Sequence, residues 1–216
     1  MIVATSTSTL SQFLSAIELP RPLGLFFLEI FKKTITREGS GDLLNWLLNN
    51  DFFTAPASTR FHLAEEGGLA QHSLHVCARL NELCQAEEKR NPIFFAPTAE
   101  TIAICGLLHD INKVNFYTVD YRNAKNEKGV WEKVPYYRVN DQFSYGHGEK
   151  SVYIINEFMH LTTEEAVAIR WHMGGFDDAV KGGSYALNGA FDQYPLAVML
   201  HLADMQATYL DEANPS

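Results

Sequence analysis

The residues best suited to chemistry stand at the end of an apolar run, in CGLLHDINK (Cys105 to Lys113), where a histidine, an aspartate and then a lysine follow Ile102 to Leu108. On a helix beginning near Thr98, the residues Ile102, Cys105 and His109 share one face. His109 therefore continues a buried stripe and needs a partner there. In GGLAQHSLHVCARL, Leu69, Val76, Leu80 and Leu83 define an apolar arc with His72 at its edge. His75 is turned about 60° further toward the polar side. In PLAVMLHLADMQATYL, Asp204 stands one helical turn after Leu200 and one before Thr208. Burying that carboxylate unpaired would cost several kcal/mol.

Three helices thus turn a His or an Asp inward, and one divalent cation shared by His72, His109, the adjacent Asp110 and Asp204 would satisfy them together. Imidazole with carboxylate suits Zn, Mn, Fe, Co or Ni better than Ca, and no thiol nearby indicates a structural zinc. The alternative is four unrelated polar core residues, each hydrogen-bonded locally. It accounts for any one of them more readily than for the set.

The elements that must position these groups are mostly helical. Apolar periodicity predicts helices over residues 8–18, 22–36, 41–50, 68–89, 98–112, 148–160, 163–173 and 193–210. Pro97-Thr98 marks one start, Thr162 with Glu165 forms a capping box, and Gly174-Gly175 marks an end. NFYTVDYRN and VPYYRVND are aromatic and β-branched around the turn-like AKNEKG, so residues 116–140 read as an inserted β-hairpin. The Gly-rich stretch Gly174 to Gly189 reads as a long ordered loop.

Composition narrows the function. A chain of 216 residues, 46% hydrophobic and 20% charged, can bury a sizeable core as one domain. A formal net charge of -9 argues against bulk DNA binding, while a local pocket for one phosphate or nucleotide is compatible with it. Cys77, Cys84 and Cys105 are odd in number and form no CxxC pair, so they read as reduced core residues. The first ten residues lack a positive n-region, and LGLFFLEIF is short and contains Glu29. Neither secretion nor a membrane span is expected, which leaves the cytoplasm. With no Ser-His-Asp or Cys-His arrangement and no P-loop, covalent and kinase-like mechanisms have no support.

The order His72, then His109-Asp110, then Asp204, in GGLAQHS, LLHDINK and HLADMQATYL, resembles the HD-domain metal-dependent phosphohydrolase superfamily over residues 55–210. The resemblance implies an all-α HD-domain helical bundle with a small inserted hairpin. Residues 1–50 would be N-terminal helices packed on the core of an HD domain spanning 51–216. It implies that His72, His109, Asp110 and Asp204 bind a metal and that Lys113 lies near the substrate phosphate. His147 in SYGHGEKS and His172 in AIRWHMGG fall where dinuclear members place second-metal ligands, with Asp110 bridging. Many such members have two adjacent histidines where this chain has Trp171-His172, so the implied set is four histidines and two aspartates.

The implied cofactor is a divalent transition metal, as two ions of Mn, Fe, Zn, Co or Ni, with Mg as a further candidate. The implied activity is hydrolysis of a phosphate ester (nucleotide, cyclic nucleotide or short oligonucleotide) by metal-activated water, with Asp110 and Lys113 catalytic. PASTRFHLAEEGGLAQH also resembles the HD part of certain bacterial 3′-5′ exoribonucleases, whose preceding OB domain has no room in the first 50 residues. The same ligand set with iron resembles the HD-type di-iron oxygenases. A non-catalytic module, whose metal only staples helices around a ligand, is a third reading. His62, Arg60, Lys150 and Arg170 are candidates to meet a phosphate, and Tyr117, Tyr121, Tyr136 and Tyr137 to stack on a base. His75, His160 and His201 read as ordinary helix residues. The expected partner is a small phosphorylated substrate, with no membrane; the oligomeric state stays open.

Overall fold

A computed structural model describes residues 23–91 and 97–213; the helix expected over 8–18 lies outside them. Helix α1 (Leu23–Thr34) buries Phe26, Phe27, Ile30 and Phe31, and α2 (Ser40–Leu48) buries Leu43, Leu44 and Leu47. That is the spacing of one helical face. After a 3₁₀ turn at Asp51–Phe53, α3 (Gly68–Arg90) carries His72. Helix α4 (Ala99–Leu108) begins where the Thr98 hydroxyl accepts the Thr101 N–H. All its residues except Glu100 and Thr101 are buried, so it is the apolar centre of the bundle.

The hairpin pairs β1 (Tyr117–Lys125) with β2 (Trp131–Val139) antiparallel, Tyr117 opposite Val139 and Lys125 opposite Trp131. The Asn126 side chain accepts from the N–H groups of Lys128 and Val130, which fixes the turn. There follow α5 (His147–Asn156), α6 (Thr163–Trp171), α7 (Asp178–Lys181), α8 (Ala186–Gln193) and α9 (Pro195–Gln206). A π-type turn at Ala207–Asp211 continues α9. The all-helical bundle with one inserted hairpin is the architecture the sequence implied. The stretch Gly174 to Gly189 departs from expectation, since it is broken by a 3₁₀ turn at Gly174–Phe176, by α7 and by the start of α8. Asp177 initiates α7 by accepting the Ala179 N–H, a local cap that the surrounding glycines obscured.

Helix α3 packs against α4 and α9, α9 also lies along α6, and α5 rests on α6 and on a 3₁₀ turn at Ile111–Lys113. Two glycines permit the closest approaches. A Cβ at Gly106 would overlap the backbone of Cys77, and one at Gly148 would overlap the carbonyl of Arg170. The first brings His109 beside the helix of His72. The second brings His147 beside the end of α6, where His172 stands. Gly148 thus serves close packing more than flexibility.

The described N-terminal helices share one apolar core with the rest: Phe27, Ile30 and Leu43 belong to the same cluster as Leu69, Ile102 and Leu200. One carboxylate ties these parts together. Glu165, with no exposed side-chain surface, closes the expected capping box with Thr162 and accepts the Thr101 hydroxyl at 2.9 Å and both arms of Arg37 at 2.6 and 2.9 Å. Arg37→Ala leaves that buried charge without its cation, so unfolding free energy should drop by about 3 kcal/mol. Burial pushes the Glu165 carboxyl up, but Arg37 and the Thr162 N–H outweigh it and hold it below its ordinary value of 4.5. The pair's contribution is therefore present above pH 4.5 and lost as pH falls through the depressed value. Thermal melts of parent and variant should converge in acid, and an unchanged gap there would remove the pair from this role.

No described helix is long and apolar enough to cross a membrane. All three cysteines are free and buried, and burial pushes the Cys77 and Cys84 thiols up to about 12.

Candidate metal centre

The chain leaves α4 after Leu108, earlier than the helix expected to residue 112. His109 caps its C-terminus and Asp110 begins the 3₁₀ turn. This sharp exit turns both side chains toward α3, α5 and α9. His109 and Asp110 are 0% and 2% exposed. His72 presents Nε2 to Asp204 Oδ1 at 3.2 Å, to His109 Nε2 at 3.3 Å and to Asp110 Oδ2 at 3.5 Å. The two oxygens of Asp110 face different groups. Oδ2 lies 3.6 Å from His109 Nε2 and 2.6 Å from Lys113 Nζ, whereas Oδ1 lies 2.8 Å from His147 Nε2 and 3.4 Å from His172 Nε2. Four of the expected ligands, His72, His109, His147 and His172, therefore lie against the Asp110 carboxylate, and Asp204 joins the cluster through His72.

Hydrogen bonds on the far sides of the rings fix the tautomers. His109 Nδ1–H donates to the Gly106 carbonyl at 2.9 Å and His172 Nδ1–H to the Ile169 carbonyl at 2.7 Å. Both Nε2 atoms are thereby aimed into the cluster; burial lowers His172, but the Asp110 carboxylate outweighs it and raises its imidazole, and its Nε2 is buried with no hydrogen-bond partner. An orphaned imidazole nitrogen among carboxylates is the donor that a cation takes, so the residues fit a divalent metal. Burial lowers His72, but hydrogen bonds to Asp204 and Glu212 outweigh it and raise its imidazole to about 10. Its Nε2 proton thus sits among donors that would suit a cation. Burial and the neighbouring His172 and His72 lower His109 to about 3 despite Asp110, so it stays neutral.

Burial opposes the charge on Lys113, but Asp110 outweighs it and keeps the ammonium. Lys113 also donates to the Ala57 carbonyl at 2.7 Å, tying the loop before α3 to the site.

The cluster opens into a cavity of about 760 Å³ whose walls include Asp110, His147 and Asp204. Phe61, Phe116, Tyr117, Phe176 and Tyr209 supply aromatic surface, and the Lys and Arg residues among its described lining are Lys113 and Lys181. Of the residues expected near substrate, His62 and Tyr117 line this cavity. Burial, with the nearby charges of His72 and Lys113, lowers His62 to about 4. Arg60, Lys150 and Arg170 do not line it: Arg60 lies over the Phe61 ring, Lys150 pairs with Asp141 at 2.7 Å, and Arg170 pairs with Glu149 and Asp177. Tyr121, Tyr136 and Tyr137 also lie outside the lining, since they are further along the hairpin.

Two histidines set aside in the sequence take part in the surroundings. His201 Nδ1–H donates to the His172 carbonyl at 2.7 Å, and His75 Nδ1 lies 2.8 Å from Glu212 Oε1. Glu212 itself was missed, because DEANPS after an apolar helix carries no periodic signal. Its carboxylate lies 3.0 Å from His72 Nδ1, and although burial pushes it up, His72 and His75 lower it to about 2.

A family model for the HD domain matches residues 69–209. That span is more than half of the 216 residues, and the chain belongs to this family, within the HD-domain metal-dependent phosphohydrolase superfamily. HD domains bind divalent metals, and the buried His and Asp groups here are able to hold them. His62 and Glu212 lie outside the matched span. No match was found among curated proteins or among solved structures.

Proposed function

We propose that this chain hydrolyses the phosphate ester of a small nucleotide-like substrate with two divalent transition-metal ions. The observation that carries the reading is Asp110, whose Oδ2 faces His72 and His109 while its Oδ1 faces His147 and His172, at the floor of an aromatic cavity. His72, His109, Asp110 and Asp204 would hold one ion, and His147, His172 and the shared Asp110 the other. When bound, the ions supply an activated water and neutralise charge on the phosphoryl oxygens.

The chain's own groups do the rest. Lys113, fixed by Asp110 and the Ala57 carbonyl, keeps a positive charge at the cavity wall, where a phosphate is stabilised most strongly in a water-poor site. Tyr117 and its aromatic neighbours offer flat surface to a base. With two lysines and no arginine among the described lining residues, the cavity lacks the basic stripe that a long nucleic-acid backbone needs, which favours a mononucleotide, cyclic nucleotide or short oligonucleotide. We read residues 51–216 as the HD domain and the two described helices before residue 50 as packed on it.

The test is a panel of phosphate mono- and diesters assayed with metal-free protein reloaded with Mn, Fe, Co, Ni, Zn or Mg. Turnover should require metal and favour aromatic-base esters. Oxygen consumption with iron would instead mark an oxygenase, and ligand binding without turnover under every metal a sensing module. Lys113→Met keeps most of the buried stem but loses the charge, so kcat should drop about 10²- to 10³-fold with metal content unchanged. An unaltered rate would take Lys113 out of the reaction.

A further inference from the structure

We infer that Glu212 is a positioning residue for the metal centre, orienting the His72 imidazole from outside the ligand set; this rests on the proposed metal-dependent function. The two ring nitrogens of His72 point in opposite directions. Nε2 faces Asp204, His109 and Asp110, and Nδ1 lies 3.1 and 3.0 Å from the two oxygens of Glu212. A carboxylate that accepts the Nδ1–H bond keeps that proton on Nδ1, so that Nε2 is the nitrogen that would give up its proton to a cation, and it fixes the ring plane and raises the basicity of the donor nitrogen. Since Nδ1 is occupied in this way, Glu212 acts through His72 and not as a ligand.

The fold builds this contact deliberately from the far end of the chain. The π-type turn at Ala207–Asp211 closes with the Glu212 N–H donating to the Ala207 carbonyl at 3.0 Å, winding one extra residue into the end of α9. Asp211 pairs with Arg79 and so fastens the turn to α3, the helix of His72. Glu212 is thereby aimed back at α3 with no exposed side-chain surface. His75, one turn on from His72, shares Oε1 of the same carboxylate at 2.8 Å. His75 thus provides an internal control, because removing it alters the surroundings of Glu212 without touching His72.

Zn(II) affinity of the metal-free full chain, measured by competition with a chromogenic chelator, tests this. Glu212→Ala should weaken the tightest ion about 10- to 100-fold. Glu212→Gln, which keeps an acceptor without charge, should lose less, and His75→Ala should stay within about threefold of the parent. At saturating zinc, every variant should hold as many ions as the parent. Parent-like affinity in Glu212→Ala, within about fivefold, overturns the role. So does an equal loss in His75→Ala, which would mark general packing. One ion fewer at saturation would make Glu212 a ligand and equally overturn it. If Glu212→Ala does not fold, the same fivefold limit is applied to Glu212→Gln. A parent that takes up no metal overturns both this inference and the proposed function, whereas a metal-binding parent with unaffected variants overturns this inference alone.

Discussion

Asp110→Asn is expected to purify with less than about a tenth of the parent's metal and to lose phosphoesterase activity by about a thousandfold or more, the largest effect of any single change here. Every proposed ligand except Asp204 lies within 3.6 Å of its carboxylate, so no other residue can substitute for its charge between the two histidine groups. Asparagine keeps the shape, which separates charge from packing. Asparagine and alanine both take the counter-charge from the Lys113 ammonium, whose side chain is only 12% exposed, but asparagine still offers it an amide oxygen whereas alanine leaves it neither charge nor acceptor there. Such an unpaired buried charge costs several kcal/mol. The asparagine variant should therefore fold and the alanine variant should melt earlier, both without metal by elemental analysis. Metal at parental levels in Asp110→Asn would leave the cluster as an ordinary ion-pair network and end the dinuclear reading.

What the sequence made legible follows from how local each signal is. Helix periodicity placed His72 inward and the run through Leu108 in the core, because burial on one face repeats every turn. The capping box at Thr162 could be read directly, since its two residues are three apart. What escaped were features set by contacts between distant segments. The side chain of Glu212 meets His72 from 140 residues away, and nothing in its own neighbourhood marks it. Arg170 and Lys150 looked free for phosphate, but their partners Glu149, Asp177 and Asp141 take them only in three dimensions.

The early end of α4 escaped for a different reason. An apolar run sets no C-terminal signal, and the exit at His109 is held by the His109 N–H on the Cys105 carbonyl and by the ring on Gly106. That exit is what lets two consecutive residues serve the cluster from different angles. On a continued helix, His109 and Asp110 would diverge by about 100°. Helical spacing placed His109 in the buried stripe, where it is found, but the turn that brings Asp110 in beside it belongs to the tertiary structure.

The second ion should be the weaker and the first to leave on chelation, by at least about tenfold in Kd, or about 1.4 kcal/mol. His72, His109, Asp110 and Asp204 would serve the first, against His147, His172 and the shared Asp110 for the second. His147 is also less well prepared. Its Nδ1 accepts from the Asn112 amide at 2.8 Å, so its Nε2 carries the proton and donates it to Asp110 at 2.8 Å. To offer Nε2 to a cation the ring must change tautomer and the Asn112 amide must turn over. The hydroxyl of Ser151, 3.1 Å from Asn112 Oδ1, is able to donate or accept and can follow that turn. His172 needs no such rearrangement, because its Nδ1–H already donates to the Ile169 carbonyl and turns Nε2 toward the cluster. His147→Ala should therefore reduce metal from about two equivalents to about one and abolish most activity. Its melting temperature should hardly move, since the side chain is 28% exposed. His172→Ala should lose the same ion but also lower the melting temperature, because it empties a site with no exposure. Titration of the parent that stops at one ion in excess metal, or His147→Ala that still binds two, would reject the second site and leave a single-metal hydrolase built on His72, His109, Asp110 and Asp204.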